Sequence, residues 1–206
     1  MKLGEMTFGA NIKIPERQED DSYKLADYTL GFFGVGVAAL IRKDIHSLCR
    51  FGDSTEYAGS DLDKRMTEIY NSYPDEFKEL IIPCTIPLYN GSGAEDITRK
   101  VFAPTLTMVG GGGNEGVDEG FTWPIFTGRN SRKKTFNGSA ARWWLSSQYS
   151  SDYAWYVNTG GSANFNYPSH TFGVVPAFII PQSVQIDDAP DNDGSYRLTV
   201  LQSYCS

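Results

Sequence analysis

From Trp123 to Ser206 the chain carries no apolar period near 3.6 residues, and this most narrows what it can fold into. Short runs such as Ala154-Trp155-Tyr156-Val157 and Gly173 to Pro181 alternate with clusters of Gly, Asn and Ser. That spacing describes short strands joined by turns. The tail from Val184 to Leu201 reads as two strands turning at Asp193-Gly194, a C-terminal β-hairpin over about 183–203.

Upstream, Tyr28 to Lys43 is rich in β-branched and aromatic residues with glycine breaks, and predicts strands. Two segments break the β pattern. Ser60 can cap a helix with acids in its first turn and Leu62, Met66, Ile69 and Tyr70 on one face. Pro74 opens a second, shorter one with Phe77, Leu80 and Ile81 facing inward. His46 to Tyr57 reads as a loop, Pro83 to Asn90 as a strand, Gly91 to Arg99 as a loop, and Lys100 to Val109 as an apolar strand-like run. The glycine- and acid-rich 110–121 reads as a loop. No linker or fixed-period repeat divides the chain. One domain over 1–206 is expected, beginning with a strand-and-loop segment over about 1–25.

A formal charge of −7 argues against nucleic acid as a partner, because phosphate contacts need clustered cations. The one basic run, Arg129 to Lys134, reads as a solvated loop. No apolar run approaches the roughly 18 residues of a membrane span, so no membrane insertion is expected. The N-terminal stretch lacks the apolar core of a secretory signal. Cys49, Cys84 and Cys205, odd in number and widely spaced, suit neither a disulfide framework nor a metal site and point to folding in a reducing cytosol.

Catalytic signals are thin. His46 and His170 are far apart, and no nucleophile-elbow motif accompanies them. No HExxH or CxxC occurs. In the acidic stretch around Asp191 and Asp193, placing Gly194 at the sixth position of a calcium loop puts Ala189 first and Val200 twelfth, where ligands are required. Gly111, Gly113 and Gly116 match a dinucleotide-binding pattern, but no helix follows to supply the amide cradle. No metal, no cofactor and no enzymatic activity are expected.

What remains is the aromatic-rich C-terminal half. Trp143, Trp144 and Leu145 read as core. The following Ser146 to Tyr153, and Asn158 to His170, mix Tyr with Ser, Asn, Gly and Asp, as paratopes do. A solvated loop favours the same small polar residues, so composition leaves both open and the tyrosines point to a binding surface.

These residues resemble an uncharacterised domain of bacteriophage and bacterial surface-type proteins, marked by Trp-Trp-Leu-Arg-Ser-Pro, then Ala-x-Tyr-Val, a glycine turn and Gly-Val-Arg-Pro-Ala. The counterparts are Trp143 to Gln148, Ala154 to Gly161 and Gly173 to Phe178. The helix from Ser60, the segment from Phe77 to Leu88, the Lys100-Val101-Phe102 run and the Asp193-Gly194-Ser195-Tyr196 turn extend the likeness over most of the chain. The resemblance implies a C-type-lectin-like α+β fold, with two short helices, a twisted antiparallel sheet and long loops. It also implies a virion or cell-surface component. The motif arginines are Ser146 and Val175 here, so no anion-binding role carries over. The triplets with which calcium-dependent lectins hold sugars are absent, as are the paired cysteines of formylglycine-generating enzymes.

The resulting expectation is a phage structural protein (tail fibre, head fibre, tail tip or capsid decoration), assembled in the host cytoplasm and carried on the virion. Its partners would be other virion proteins and a host cell-surface glycan or protein, with a homo-oligomer allowed. The candidate ligand contacts are Tyr149, Asp152, Tyr153, Trp155, Asn164, Asn166, Tyr167 and His170. Two alternatives stand beside it: a cementing virion protein that binds no receptor, and a protein whose loop over roughly 146–170 is diversified for ligands.

Overall fold

The computed structural model describes residues 1–204, which leaves Cys205 outside the described residues. The fold is α+β and mostly sheet. In chain order its first strands are β1 (Asn11–Arg17), β2 (Tyr23–Phe33), β3 (Val37–Arg42), β4 (Ser47–Arg50), β5 (Cys84–Tyr89), β6 (Ala94–Arg99) and β7 (Val101–Phe102). They are followed by β8 (Lys134–Phe136), β9 (Ser139–Ala141), β10 (Trp143–Gln148), β11 (Ala154–Val157), β12 (Ala163–Asn166), β13 (Thr171–Val174), β14 (Ala177–Pro181) and β15 (Tyr196–Arg197). Helices α1 (Asp61–Ser72) and α2 (Asp75–Leu80) lie between β4 and β5.

The strands form two principal sheets, ordered β15-β1-β2-β3-β14-β7 and β12-β11-β10-β13-β4, with hairpins β5-β6 and β8-β9 beside them. A single antiparallel sheet is therefore not what forms. Each principal sheet also contains one parallel pair, β1 with β15 and β10 with β13. The second arises because β11 occupies one edge of β10, so the chain returns from β12 along the other edge. Gly173 permits that approach: a Cβ there would stand 2.6 Å from Ile45 and 2.9 Å from the Arg142 carbonyl.

Both helices form where the sequence places them. The Ser60 hydroxyl accepts from the Asp63 amide at 3.1 Å, and the chain leaves α1 at Tyr73 because Pro74 disfavours helical backbone before it. Leu62, Met66, Ile69 and Phe77 are buried. Tyr70 and Leu80, expected inward as well, are only half-buried. Tyr73 and Phe77 meet Phe178 of β14 at ring separations of 5.8 and 5.2 Å, which seats the helix pair on the six-stranded sheet. Polar contacts fix that seat. Buried Glu16 takes a two-pronged bond from Arg42, 2.8 and 3.0 Å, and one from Tyr28, whose hydroxyl also meets that of Tyr73 at 2.6 Å. Buried Asp63 holds Arg99 of β6 in the same forked way, both bonds 2.8 Å.

Several expectations fail for identifiable reasons. Residues 47–50 and 94–99, read as loops, are strands. Only Ile97 is buried in β6, so no alternation betrays it. Lys100 to Val109 yields only the two-residue β7, since Pro104 breaks the run into a buried turn. The opening segment does hold a strand and an exposed loop, β1 and residues 18–22, and β1 lies inside the six-stranded sheet. The C-terminal hairpin shrinks to one antiparallel bridge, Ile186 with Leu198, followed by a 3-10 helix over Thr199–Tyr204. Its acidic turn is instead tied down by ion pairs, Asp193 to Lys13 at 2.5 Å and Asp191 to Arg197 at 2.8 Å. Lys134, expected in solvent, is buried and donates to the carbonyls of Arg42 and Lys43 at 2.5 and 2.9 Å. Burial pushes its ammonium down to about 7, opposed by the charge of Asp44.

Candidate functional site

Strand alternation sorts the aromatic residues of the five-stranded sheet into two populations. Trp143 and Trp144 are adjacent, so they face opposite sides of β10, and both are fully buried. Trp144 packs on Phe51, Tyr156 and Phe172 and donates its indole N–H to the Cys49 carbonyl at 3.2 Å. Trp143 donates to Arg132 at 3.0 Å. Both faces of β10 are thus covered, and the burial continues through Ser146 and Ser147, which are not displayed as expected. Display begins at Tyr149, where the amides of Tyr149 and Ser150 both bond the Tyr153 carbonyl and close a tight turn.

Beyond this turn, Trp155 of β11 lies directly opposite Phe165 of β12. Tyr153 and Tyr167, two residues away on each strand, share their face. Tyr149 stacks on Phe165 with ring centres 3.9 Å apart and planes 6° from parallel. Trp155 meets Tyr149 edge-on at 5.0 Å, and Tyr153 meets Tyr167 at 4.7 Å with their hydroxyls 3.0 Å apart. Five rings therefore form one continuous outer surface, on which Phe165 and Tyr167 are 39% and 50% exposed. Hydrophobic and aromatic side chains of this size are normally withdrawn from water, so this partly open cluster is the candidate for a binding surface.

The eight candidates divide accordingly. Tyr149, Tyr153, Trp155 and Tyr167 belong to the ring surface. Asp152 sits exposed at the turn and shares a shallow depression with Tyr167, Gly52 and Asp53. Asn164 and Asn166 point to the other side of β12. Their side-chain oxygens accept the amides of Phe165 and Tyr167, each at 2.8 Å, so they shape the strand rather than join the rings. His170 is exposed at the margin, 6.2 Å from Tyr167 and 6.0 Å from Phe172. Phe165, central to the cluster, is not among the candidates; its place opposite Trp155 brings it in.

Support for the surface comes from the glycine-rich loop, which sequence patterning leaves as a plain connection. The indole N–H of Trp155 donates to Asn114 Oδ1 at 3.2 Å. Asn114 Nδ2 in turn donates to the Gln148 carbonyl at 2.6 Å and to Glu119 Oε1 at 3.1 Å. Glu119 is fully buried and also accepts from the Tyr89 amide at 3.0 Å and from the Ser147 hydroxyl. Burial raises the Glu119 pKa, partly offset by these donors. A serine beside a carboxylate suggests nucleophilic chemistry, yet both groups lie below the surface with no exposure to a substrate. At the other end of β11, the turn into β12 is closed by Asn158, which accepts the amides of Gly160 and Ser162. Gly161 there has φ of +83°, and a Cβ would stand 1.8 Å from the Arg129 carbonyl oxygen.

The two histidines remain apart; His46 is held by Ser47 at 3.0 Å, and burial lowers its pKa. Among the described residues no group of three or more His, Cys, Asp or Glu is placed to hold a metal ion. Nor is any helix among them long and apolar enough to cross a membrane.

Residues 36–182 match the family described as Domain of unknown function (DUF6273), and the chain belongs to that family. The match runs from the β2–β3 turn to just past β14 and takes in the whole ring surface. No curated protein and no solved structure matches the chain.

Proposed function

We propose that this member of the DUF6273 family is a non-enzymatic, ligand-displaying structural protein of a bacteriophage virion, in a fibre, tail-tip or capsid-decorating position. Its fold in this reading is C-type-lectin-like, with the helix pair on one sheet and the loop-rich second sheet carrying the binding face. The observation that carries the proposal is the five-ring surface of Tyr149, Tyr153, Trp155, Phe165 and Tyr167. Open aromatic faces bordered by hydroxyls suit the apolar face of a sugar ring or a peptide side chain on the host surface.

A glycan array of bacterial-surface oligosaccharides and a cell-adsorption assay test it with Tyr149→Ala and Tyr153→Ala. Each variant is expected to bind at least about tenfold more weakly, a loss of roughly 1.4 kcal/mol, with folding retained. Unchanged adsorption rejects this surface as the site. Burial of the same rings against another virion protein in the assembled particle would instead make the chain a cementing component.

A further inference from the structure

Outside the ring surface, a cavity of about 400 Å³ opens between segments far apart in sequence. One wall is the loop 54–58 ahead of α1, and another is the β5-β6 hairpin with Leu88, Tyr89 and Glu95. The third is β10 with its following turn, through Ser146, Gln148 and Ser151. Thr55 donates to the Ser151 carbonyl at 3.4 Å and ties the first wall to the third.

Its chemistry is specific. Ser146 is only 2% exposed, and its hydroxyl oxygen, buried in the cavity wall, has no hydrogen-bond partner among the described residues. Buried hydroxyls are seldom left so, and a ligand hydroxyl would satisfy it. Gln148 donates Nε2 to the Ser150 carbonyl at 3.0 Å, which fixes its amide while Oε1 accepts nothing from the described residues. Glu56 and Glu95 both line the space, and neither forms an ion pair among the described residues. No lysine or arginine lines it. Buried Leu88 and Ile97 supply an apolar patch beside these polar groups. The volume lies at the small end of small-molecule sites.

We infer that this cavity is a second binding site, taking a single amino-sugar ring whose hydroxyls bond Ser146 and Gln148 and whose ammonium lies between Glu56 and Glu95. None of the five rings lines it, so the inference goes beyond the proposed function and does not rest on it.

The test is a titration of the whole chain with glucosamine, glucose and glucuronic acid, followed by calorimetry or ligand-observed NMR. Glucosamine is expected to bind saturably, glucose at least tenfold more weakly, and glucuronic acid not measurably, since two carboxylates repel it. Ser146→Ala and the double variant Glu56→Gln/Glu95→Gln should each weaken glucosamine at least fivefold, while Tyr153→Ala leaves it unchanged. Glucosamine that fails to bind, or binds no better than glucuronic acid, overturns the inference. So does undiminished binding by the cavity variants. Loss through Tyr153→Ala alone would move the sugar to the ring surface, overturning this site while supporting the other.

Discussion

Replacing Glu119 probes the buried network that holds the glycine-rich loop, β5, β10 and Trp155 in register. In Glu119→Ala the Tyr89 amide loses its side-chain acceptor, while Asn114 keeps the Gln148 carbonyl and Ser147 still accepts from the Leu106 amide at 2.7 Å. One buried donor stranded outright and two half-stranded cost about 4 kcal/mol. Relief from desolvating the carboxyl returns part of this, leaving a net loss of about 3 kcal/mol, or roughly 6–12 °C in Tm for a chain of this length. Glu119→Gln keeps one oxygen acceptor, and the Ser147 hydroxyl can turn to accept the new amide, so its loss is about 1 kcal/mol. The pH dependence supplies a second reading. Burial raises the Glu119 pKa, so the folded state keeps a proton that the unfolded state has released. Stability from this group is full below the ordinary carboxylate pKa and declines as pH rises through the raised one. Wild type minus Glu119→Gln should therefore shrink with rising pH in that window, followed by urea unfolding in a pH series. Glu119→Ala within about 0.5 kcal/mol of wild type, or a difference that grows with pH, would refute the network's role.

Two further perturbations follow from burial and backbone geometry. Lys134→Met removes an ammonium that burial holds down to about 7. Below that pH both states carry the proton and wild type bears the full penalty, which is relieved as pH rises toward the ordinary lysine value. Wild type should gain on the variant by up to about 1.4 kcal/mol per pH unit between pH 7 and 9 in thermal unfolding, and a flat difference contradicts the burial argument. Gly161→Ala forces a Cβ onto the Arg129 carbonyl at positive φ and should cost about 3 kcal/mol and disturb the β11-β12 turn, whereas Gly160→Ala, at negative φ and meeting only the movable Asn158 side chain at 3.3 Å, stays within about 1 kcal/mol in denaturant titration.

Local chemistry made part of this legible in the sequence. Ser60 and Pro74 mark both helix starts, and Gly34-Val35-Gly36 marks the β2–β3 turn, because caps and turns act on neighbouring residues. The burial of Trp143 and Trp144 follows from bulk alone. β6 was hidden because its identity lies in pairing with β5, not in its own apolar pattern. In the candidate site, Tyr149, Tyr153 and Tyr167 do lie together on one outer face, but selection by residue type also took Asn164 and Asn166, whose oxygens hold the β12 backbone, and left out Phe165. Period-two alternation along β12 separates them, and it becomes usable only once the strand and its Trp155 partner are placed. Asn114 and Glu119 could not be found this way, since their partners stand up to 41 residues away.

Whether the partly open rings hold the ligand can be read from the four tryptophan indole N–H resonances during titration with an array-selected bacterial oligosaccharide. Trp155 lies within the ring surface, half-buried, whereas Trp123, Trp143 and Trp144 are buried and serve as internal controls. The Trp155 signal is expected to move in proportion to saturation, the Trp143 and Trp144 signals to stay fixed, and Phe165→Ala to abolish the movement. Saturable binding with Trp155 unmoved would contradict binding at the rings.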